Sequence, residues 1–224
     1  MPKTLIVVPL TEELIPLRLA WDKIGLDIQE DAVGRVRVLW LPALGFTVAL
    51  AGLGKSECAV VTQHLIDAQP GWDLVICAGS AGALDPRLSV GDVVVGTKTV
   101  EHDLHNLMGP PRVPRFRADA AAVRSLRRVT PEGFGVHFGP LASGDEDVIS
   151  AARREAIRTR TGALATAWEG AGAARACRFS RVPFVEIRAI SDTADAGAAV
   201  SFFDNLDQAM ANLAGLLTAW IRHP

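Results

Sequence analysis

The segment Val182-Pro-Phe-Val-Glu-Ile-Arg-Ala-Ile-Ser-Asp-Thr-Ala-Asp195 decides how the rest of this chain is read. With Pro183 set aside, four of the five residues from Val182 to Ile187 are apolar or aromatic, and β-branched types are frequent. That composition predicts a strand buried on both faces of a parallel sheet. Arg188 then sits at its carboxyl edge, followed by Ser191, Asp192 and Asp195. Open α/β sheets bind ligands at the carboxyl ends of their strands, so this polar cluster is the first candidate for chemistry. Its plainer account is that Ser191 or Asp192 caps a helical turn while Arg188 pairs with a carboxylate.

The remaining composition fits that frame. The chain has 224 residues, of which 49% are hydrophobic, with 20 Gly and 13 Pro, which matches one sizeable α/β domain spanning 1–224. Net charge is −2, and Lys and Arg form no dense run. A nucleic-acid footprint needs a concentrated basic face, so nucleic acid is excluded as a partner; Arg112 to Arg128 alternates with Pro and Ala and reads as a solvated face. Cys58, Cys77 and Cys177 are widely spaced and form no disulfide framework or zinc spacing, consistent with a reducing cytoplasm. The opening run Thr4-Leu-Ile-Val-Val-Pro-Leu10 is too short to span a membrane and lacks a signal-peptide cleavage region, so the expectation is a soluble protein with no membrane partner.

Along the chain, Leu5 to Val8 predicts a first buried strand, and Thr11 caps a helix whose Glu12 and Glu13 suit its positive end. Short strands are expected over 26–31, 35–41 and 46–51. Gly52-Leu-Gly-Lys-Ser then leads into a helix through Val60, Val61, Leu65 and Ile66; the G-x-x-x-x-G-K spacing of a phosphate loop is absent. Asp73 to Ala78 predicts a strand running into a loop, Gly79-Ser-Ala-Gly-Ala-Leu84, where small residues let a ligand approach the backbone. Leu88 to Val95 follows as a strand, 117–129 as a helix, 134–141 as a strand and Ala142 to Ile149 as a loop. His102, Asp103 and His105 lack a further nearby ligand for a metal. A helix over 150–159, a strand from Leu164 to Trp168, a helix from Ala171 to Cys177 and an amphipathic helix over 203–221 complete the order. Glu169 therefore stands at another strand-to-helix junction. The pattern is one α/β domain with helices flanking a mixed, mostly parallel central sheet.

Set side by side, these carboxyl-edge segments resemble the purine nucleoside phosphorylase/nucleosidase superfamily. The resemblance is carried by Gly79-Ser-Ala-Gly-Ala-Leu, Val90-Gly-Asp-Val-Val, Ser143-Gly-Asp145, Trp168-Glu-Gly-Ala and the Arg188-Ala-Ile-Ser-Asp192 segment. Their order and spacing are most similar to the 5′-methylthioadenosine/S-adenosylhomocysteine nucleosidase branch, over nearly the whole chain. The resemblance implies a nucleoside phosphorylase-like fold and hydrolysis of an N-glycosidic bond, with no cofactor and no metal. Asp192 matches the general acid at the purine N7, and Ser191 the residue that orients its carboxyl. Glu169 matches the acceptor of the ribose 2′- and 3′-hydroxyls. Glu13 matches the carboxylate that activates water, with Glu12 a contender. Arg188 and Ser80 match residues around the water or phosphate position, and Gly82, Trp168 and Val148 join them as substrate-binding candidates. The chemistry agrees: bond cleavage needs one protonated and one ionised carboxyl, and Glu13 at a helix start is expected to stay charged.

Three departures stand out. Ala167 replaces a family glutamate two positions before Glu169, Asp147 replaces an aromatic base-stacking residue, and Pro9 and Leu10 replace small residues after the first strand. A 5′-modified adenosine such as 5′-methylthioadenosine or S-adenosylhomocysteine is the expected substrate. A futalosine-type hydrolase, a phosphate-dependent nucleoside phosphorylase and a non-catalytic nucleoside binder are the alternatives. The long segment from His102 to Arg117, with Leu104, Leu107, Met108 and Phe116, is expected to close the pocket of a partner subunit in a homodimer.

Overall fold

A computed structural model describes residues 3–106, 108–109 and 113–222; Leu107, Pro110, Pro111 and Arg112 of the expected pocket-closing and Arg-rich segments lie outside them. In chain order the elements are β1 (Thr4–Val8), α1 (Thr11–Lys23), β2 (Gln29–Val33), β3 (Val36–Leu41), β4 (Phe46–Leu50), α2 (Gly54–Ala68), β5 (Leu74–Ala83) and β6 (Val93–Glu101). They continue with β7 (Arg115–Arg117), α3 (Ala120–Leu126), β8 (Val136–Ser143), α4 (Ala151–Thr161), β9 (Ala165–Ala167), α5 (Gly170–Ser180), β10 (Phe184–Asp192) and α6 (Ala198–Arg222).

The sheet runs β10-β6-β8-β9-β5-β1-β4-β3-β2, and β10 also pairs with β5. That additional pairing closes β10, β6, β8, β9 and β5 into a ring, from which β1 to β4 continue as an open wing. The sheet is mixed, as expected, and among the described residues its antiparallel strand pairings are as numerous as its parallel ones. Pairings of β1 with β4 and β5, of β10 with β5, and of β8 with β6 and β9 are parallel. Those of β10 with β6, β5 with β9, β6 with β7, and β3 with β2 and β4 are antiparallel. Tight turns impose part of this: Gly34 and Gly45, at φ +60 and +68, reverse the chain into a meander that no parallel pairing could follow.

Each residue of β10 is buried, and alternation divides its two faces. Val185, Ile187 and Ala189 join the core made with α1, α3 and α6, whereas Phe184 joins the opposite core with α2 and α5. On α6, Leu206, Met210, Leu213 and Leu217 recur at helical spacing and are buried, each contributing roughly 1.5–3 kcal/mol. A smaller apolar cluster takes Ala81, Val94, Leu141, Ala165 and Ile190 from the five ring strands.

Three local expectations are overturned. Gly79 to Ala83 is strand, not loop, because its small residues let β5 lie in register against β10, with Gly79 opposite Arg188 and Ser80 opposite Ala189. The cap of α1 is Leu10 rather than Thr11. Phe116 is buried, with the guanidinium groups of Arg175 and Arg178 over its ring, whereas Leu104 and Met108 are exposed. Among the described residues no helix is long and apolar enough to cross a membrane.

Candidate active site

A cavity of about 520 Å³ opens where β5, β9 and β10 end and α1 and α6 begin, within the size range of small-molecule sites. Asp192, Glu13, Glu169, Ser191, Arg188, Ser80, Gly82, Trp168 and Val148 all line it. The nine candidates read from separate motifs thus meet in one place.

Glu13 reaches the cavity because only Pro9 and Leu10 separate β1 from α1, which keeps the first helical turn close to the strand ends. Its carboxylate accepts from the Leu10 amide at 3.2 Å, the Ser80 amide at 2.6 Å and the Ser80 hydroxyl at 2.5 Å. Glu12 is exposed at the rim of the same cavity. Burial is the largest influence on Glu13 and pushes its carboxyl above 4.5; Arg188 pulls it down, Glu169 pushes it up, and the Ser80 hydrogen bonds pull it down. The helix start is one of several influences on this group. The three donors and the facing cation are what favour its ionised form.

Glu169 occupies the N-cap position of α5, where its carbonyl accepts from the Gly172 and Ala173 amides at 2.7 and 3.2 Å. Its side chain makes no cap bond and is left to face the cavity. There it accepts from the Gly54 amide at 3.2 Å and from Arg188 Nη2 at 3.1 Å. Ser143 secures the same junction by donating to the Trp168 carbonyl at 2.6 Å and accepting from the Ala171 amide at 3.0 Å. Trp168 is half-buried and Val148 buried on the cavity wall.

Arg188 is only 1% exposed. Its Nε donates to Glu186 at 3.0 Å, Nη2 to Glu169, and Nη1 to the Ser80 carbonyl at 3.4 Å. Glu186 is itself buried and accepts from Thr99 Oγ1 at 2.5 Å. Nothing in the apolar pattern of the strand singled it out. The signal was its position two residues before Arg188, which places both on one face of β10.

Asp192 ends β10 beyond a bulge at Ile190. Its carboxyl accepts from Ser191 Oγ at 2.8 Å and from the Ala194 amide at 2.8 Å. Burial is the largest influence and raises its pKa above 3.8; Ser191 and Ala194 lower it, and Asp195 raises it. Among the described residues it has no ion-pair partner. A Cβ on Gly82 would come within 2.8 Å of Asp192 Oδ1, so Gly82 leaves the carboxyl its place. Ala194, at φ +49, holds a strained turn directly after the acid.

The departures also fall in the cavity: Ala167 and Asp147 line it, together with Pro9 and Leu10. Phe202 and Phe203 line it as well and pack edge-to-face with centroids 5.0 Å apart. The pair lies in the first turns of α6, which begins at Ala198 rather than at the expected 203. His102 is buried and His105 exposed, while Asp103 accepts from the Lys55 ammonium, so the three do not assemble as metal ligands. Arg18 pairs with Glu30 on the surface.

The family model described as the phosphorylase superfamily matches residues 4–222. A 5′-methylthioadenosine/S-adenosylhomocysteine nucleosidase of Staphylococcus carnosus is 30% identical over 216 residues, covering 91% of this chain and 92% of that relative. The crystal structure of the Neisseria meningitidis nucleosidase of the same name, in complex with methylthio-immucillin-A, superposes with a TM-score of 0.83 at 34% identity, covering 99% of each chain. The futalosine hydrolase of Helicobacter pylori superposes with a TM-score of 0.85 at 26% identity, covering 100% of this chain and 98% of that one.

Proposed function

The chain belongs to the phosphorylase superfamily, and from that premise we propose that it hydrolyses the N-glycosidic bond of a purine nucleoside, a 5′-modified adenosine such as 5′-methylthioadenosine or S-adenosylhomocysteine. The observation that carries this reading is the pairing of two buried carboxyls with different partners in one cavity. Among the described residues Asp192 faces a hydroxyl and an amide but no cation, whereas Glu13 is held by three donors near Arg188.

In this reading protonated Asp192 gives its proton to the purine N7 as the base leaves. Ionised Glu13, rather than Glu12, takes a proton from the water that attacks the sugar carbon. Glu169 accepts from the ribose hydroxyls, which hold the sugar while positive charge develops on it. Arg188 fixes Glu169, and Ser80 fixes Glu13. Ser191 orients Asp192, and Gly82, Trp168 and Val148 shape the walls around the base. No cofactor or metal is required by these steps.

A futalosine-type hydrolase is the second reading, supported by the match to the Helicobacter pylori enzyme and by Ala167 and Asp147, which depart from the nucleosidase pattern. We further take residues 1–224 to act as one domain, in the cytoplasm, as a homodimer in which the 102–117 segment closes the partner's cavity. The exposed Leu104 and Met108 support that contact. Light scattering at micromolar concentration tests it, and a fully active monomer would exclude it.

The test of the activity is release of free base from 5′-methylthioadenosine, S-adenosylhomocysteine and futalosine, each with and without phosphate. Release without phosphate supports the hydrolase. Strict dependence on phosphate moves the chain to the phosphorylases, and preference for futalosine selects the second reading.

A further inference from the structure

Arg188 sits against more buried carboxylate than a single ion pair needs. Glu169 and Glu186 both bind its guanidinium, and their side chains are 5% and 0% exposed. The two contacts fall on different atoms. Glu169 takes Nη2, on the cavity side, and Glu186 takes Nε, on the side away from it. Glu186 does not line the cavity.

Burying a second carboxylate beside one cation is costly unless each lone pair is satisfied. Here Thr99 supplies the other hydrogen bond, and α5 leaves space for the acid. A Cβ on Gly170 would overlap the Glu186 carboxylate, so the glycine next to Glu169 is the residue that admits it. Glu186, Thr99 and Gly170 come from three elements, β10, β6 and α5, and converge on one carboxylate. A guanidinium bound at Nε as well as Nη2 has its plane fixed, because it can no longer turn about its last bonds while keeping both partners.

We propose that Glu186 is a positioning residue for glycosidic cleavage: from behind Arg188 it sets the guanidinium plane, and through Nη2 it fixes where Glu169 presents its carboxylate to the sugar. The inference rests on the reading that Glu169 holds the ribose hydroxyls. Glu186 touches no substrate, and its effect is carried entirely by Arg188 and Glu169. A misplacement of the sugar acceptor by a fraction of an ångström is enough to cost tens-fold in rate.

The experiment compares 5′-methylthioadenosine with its 2′-deoxy analogue in wild type, Glu186→Leu and Glu186→Gln, with melting temperatures measured for each. Glu186→Leu should lower kcat/KM for the ribose substrate by about 10–100-fold, mostly through kcat, yet lower it less than about threefold for the deoxy analogue, which lacks the contact being positioned. Glu186→Gln keeps an acceptor for Nε and a partner for Thr99, and should recover to within about fivefold of wild type. If Glu186→Leu does not fold, Thr99→Val carries the same comparison, with the same substrate dependence and a smaller loss. Equal losses on both substrates, or none, in a folded variant overturn the inference alone. A wild type indifferent to the 2′-hydroxyl, with Glu169→Gln equally indifferent, removes the ribose role of Glu169 and this inference with it. A wild type that releases base from neither substrate removes the functional reading itself, and the inference falls with that too.

Discussion

Two cations in this molecule each face several carboxylates, and they do so in different surroundings. Arg188 lies among Glu186, Glu169 and Glu13 with its own side chain 1% exposed. Lys55 lies among Asp103, Asp145 at 3.6 Å and Glu101 at 3.8 Å, at the edge of the fold. The N-terminus of α2 joins the two regions, since the Gly54 amide donates to Glu169 and the next amide, Lys55, donates to Asp145 at 2.9 Å. The inner cluster is almost fully buried, and a planar, multi-point donor serves several carboxylates there at once. The outer one tolerates a compact ammonium that water still reaches. Charge arranged in the same way is thus a fixed instrument in the dry cluster and a flexible clasp in the wet one.

The widest separation between them is expected in turnover. Asp192→Asn, in the dry region, should cost about 10²–10⁴ in kcat with the fold intact, while Asp103→Asn at the outer cluster should stay within about tenfold. Near-normal turnover of a folded Asp192→Asn would misplace the acid. Stability comes next. Arg188→Met strands three buried carboxylates and should cost about 3–5 kcal/mol in denaturant titration. Lys55→Met should cost about 0–1 kcal/mol, shrinking further in high salt. Similar costs for the two substitutions would erase the distinction.

The smallest effect is the most discriminating, because the two regions carry opposite pH signs. Burial, the largest influence, raises Glu186; Arg188 and Thr99 only partly counter it. A raised carboxyl contributes stability that is complete below about 4.5 and is lost as pH rises through its folded value. For Asp103, burial pushes upward, but the Lys55 hydrogen bond, the Asp145 amide and the Lys55 charge outweigh it and hold it below 3.8. That contribution is present above about 3.8 and is lost as pH falls. Between about pH 7 and about pH 4, Glu186→Gln should therefore lose more melting temperature than wild type on acidification, and below about pH 4 Asp103→Asn should lose less. Shifts of the same sign would refute the assignment of the two environments.

What could be read in advance follows the same division. Asp192 and Glu169 were legible because each stands beside a strand end, where an acid interrupts an apolar run within a few residues, whereas Glu13 suits a helix start without any function and stood out only through the family resemblance. Glu186 was not, because a lone acid inside a strand gains meaning only once Thr99 and Gly170 arrive from elsewhere. Gly79 to Ala83 read as a loop for the same reason: its extension depends on β10, about a hundred residues later in the chain. The even mixture of strand directions and the closing of the ring are likewise properties of the pairing between distant segments. Glu13's burial, and with it the upward push on its carboxyl, is a product of the folded cavity wall, and Ser80 and Arg188, which counter that push, come from distant strands.

A Cβ on Gly170 would fall on the tip of the Glu186 side chain, so an alanine at position 170 would push that carboxylate off its place between Thr99 and Arg188. The smallest residue in the site thus acts at one remove: its missing methyl is the seat of an acid that itself never meets the cavity.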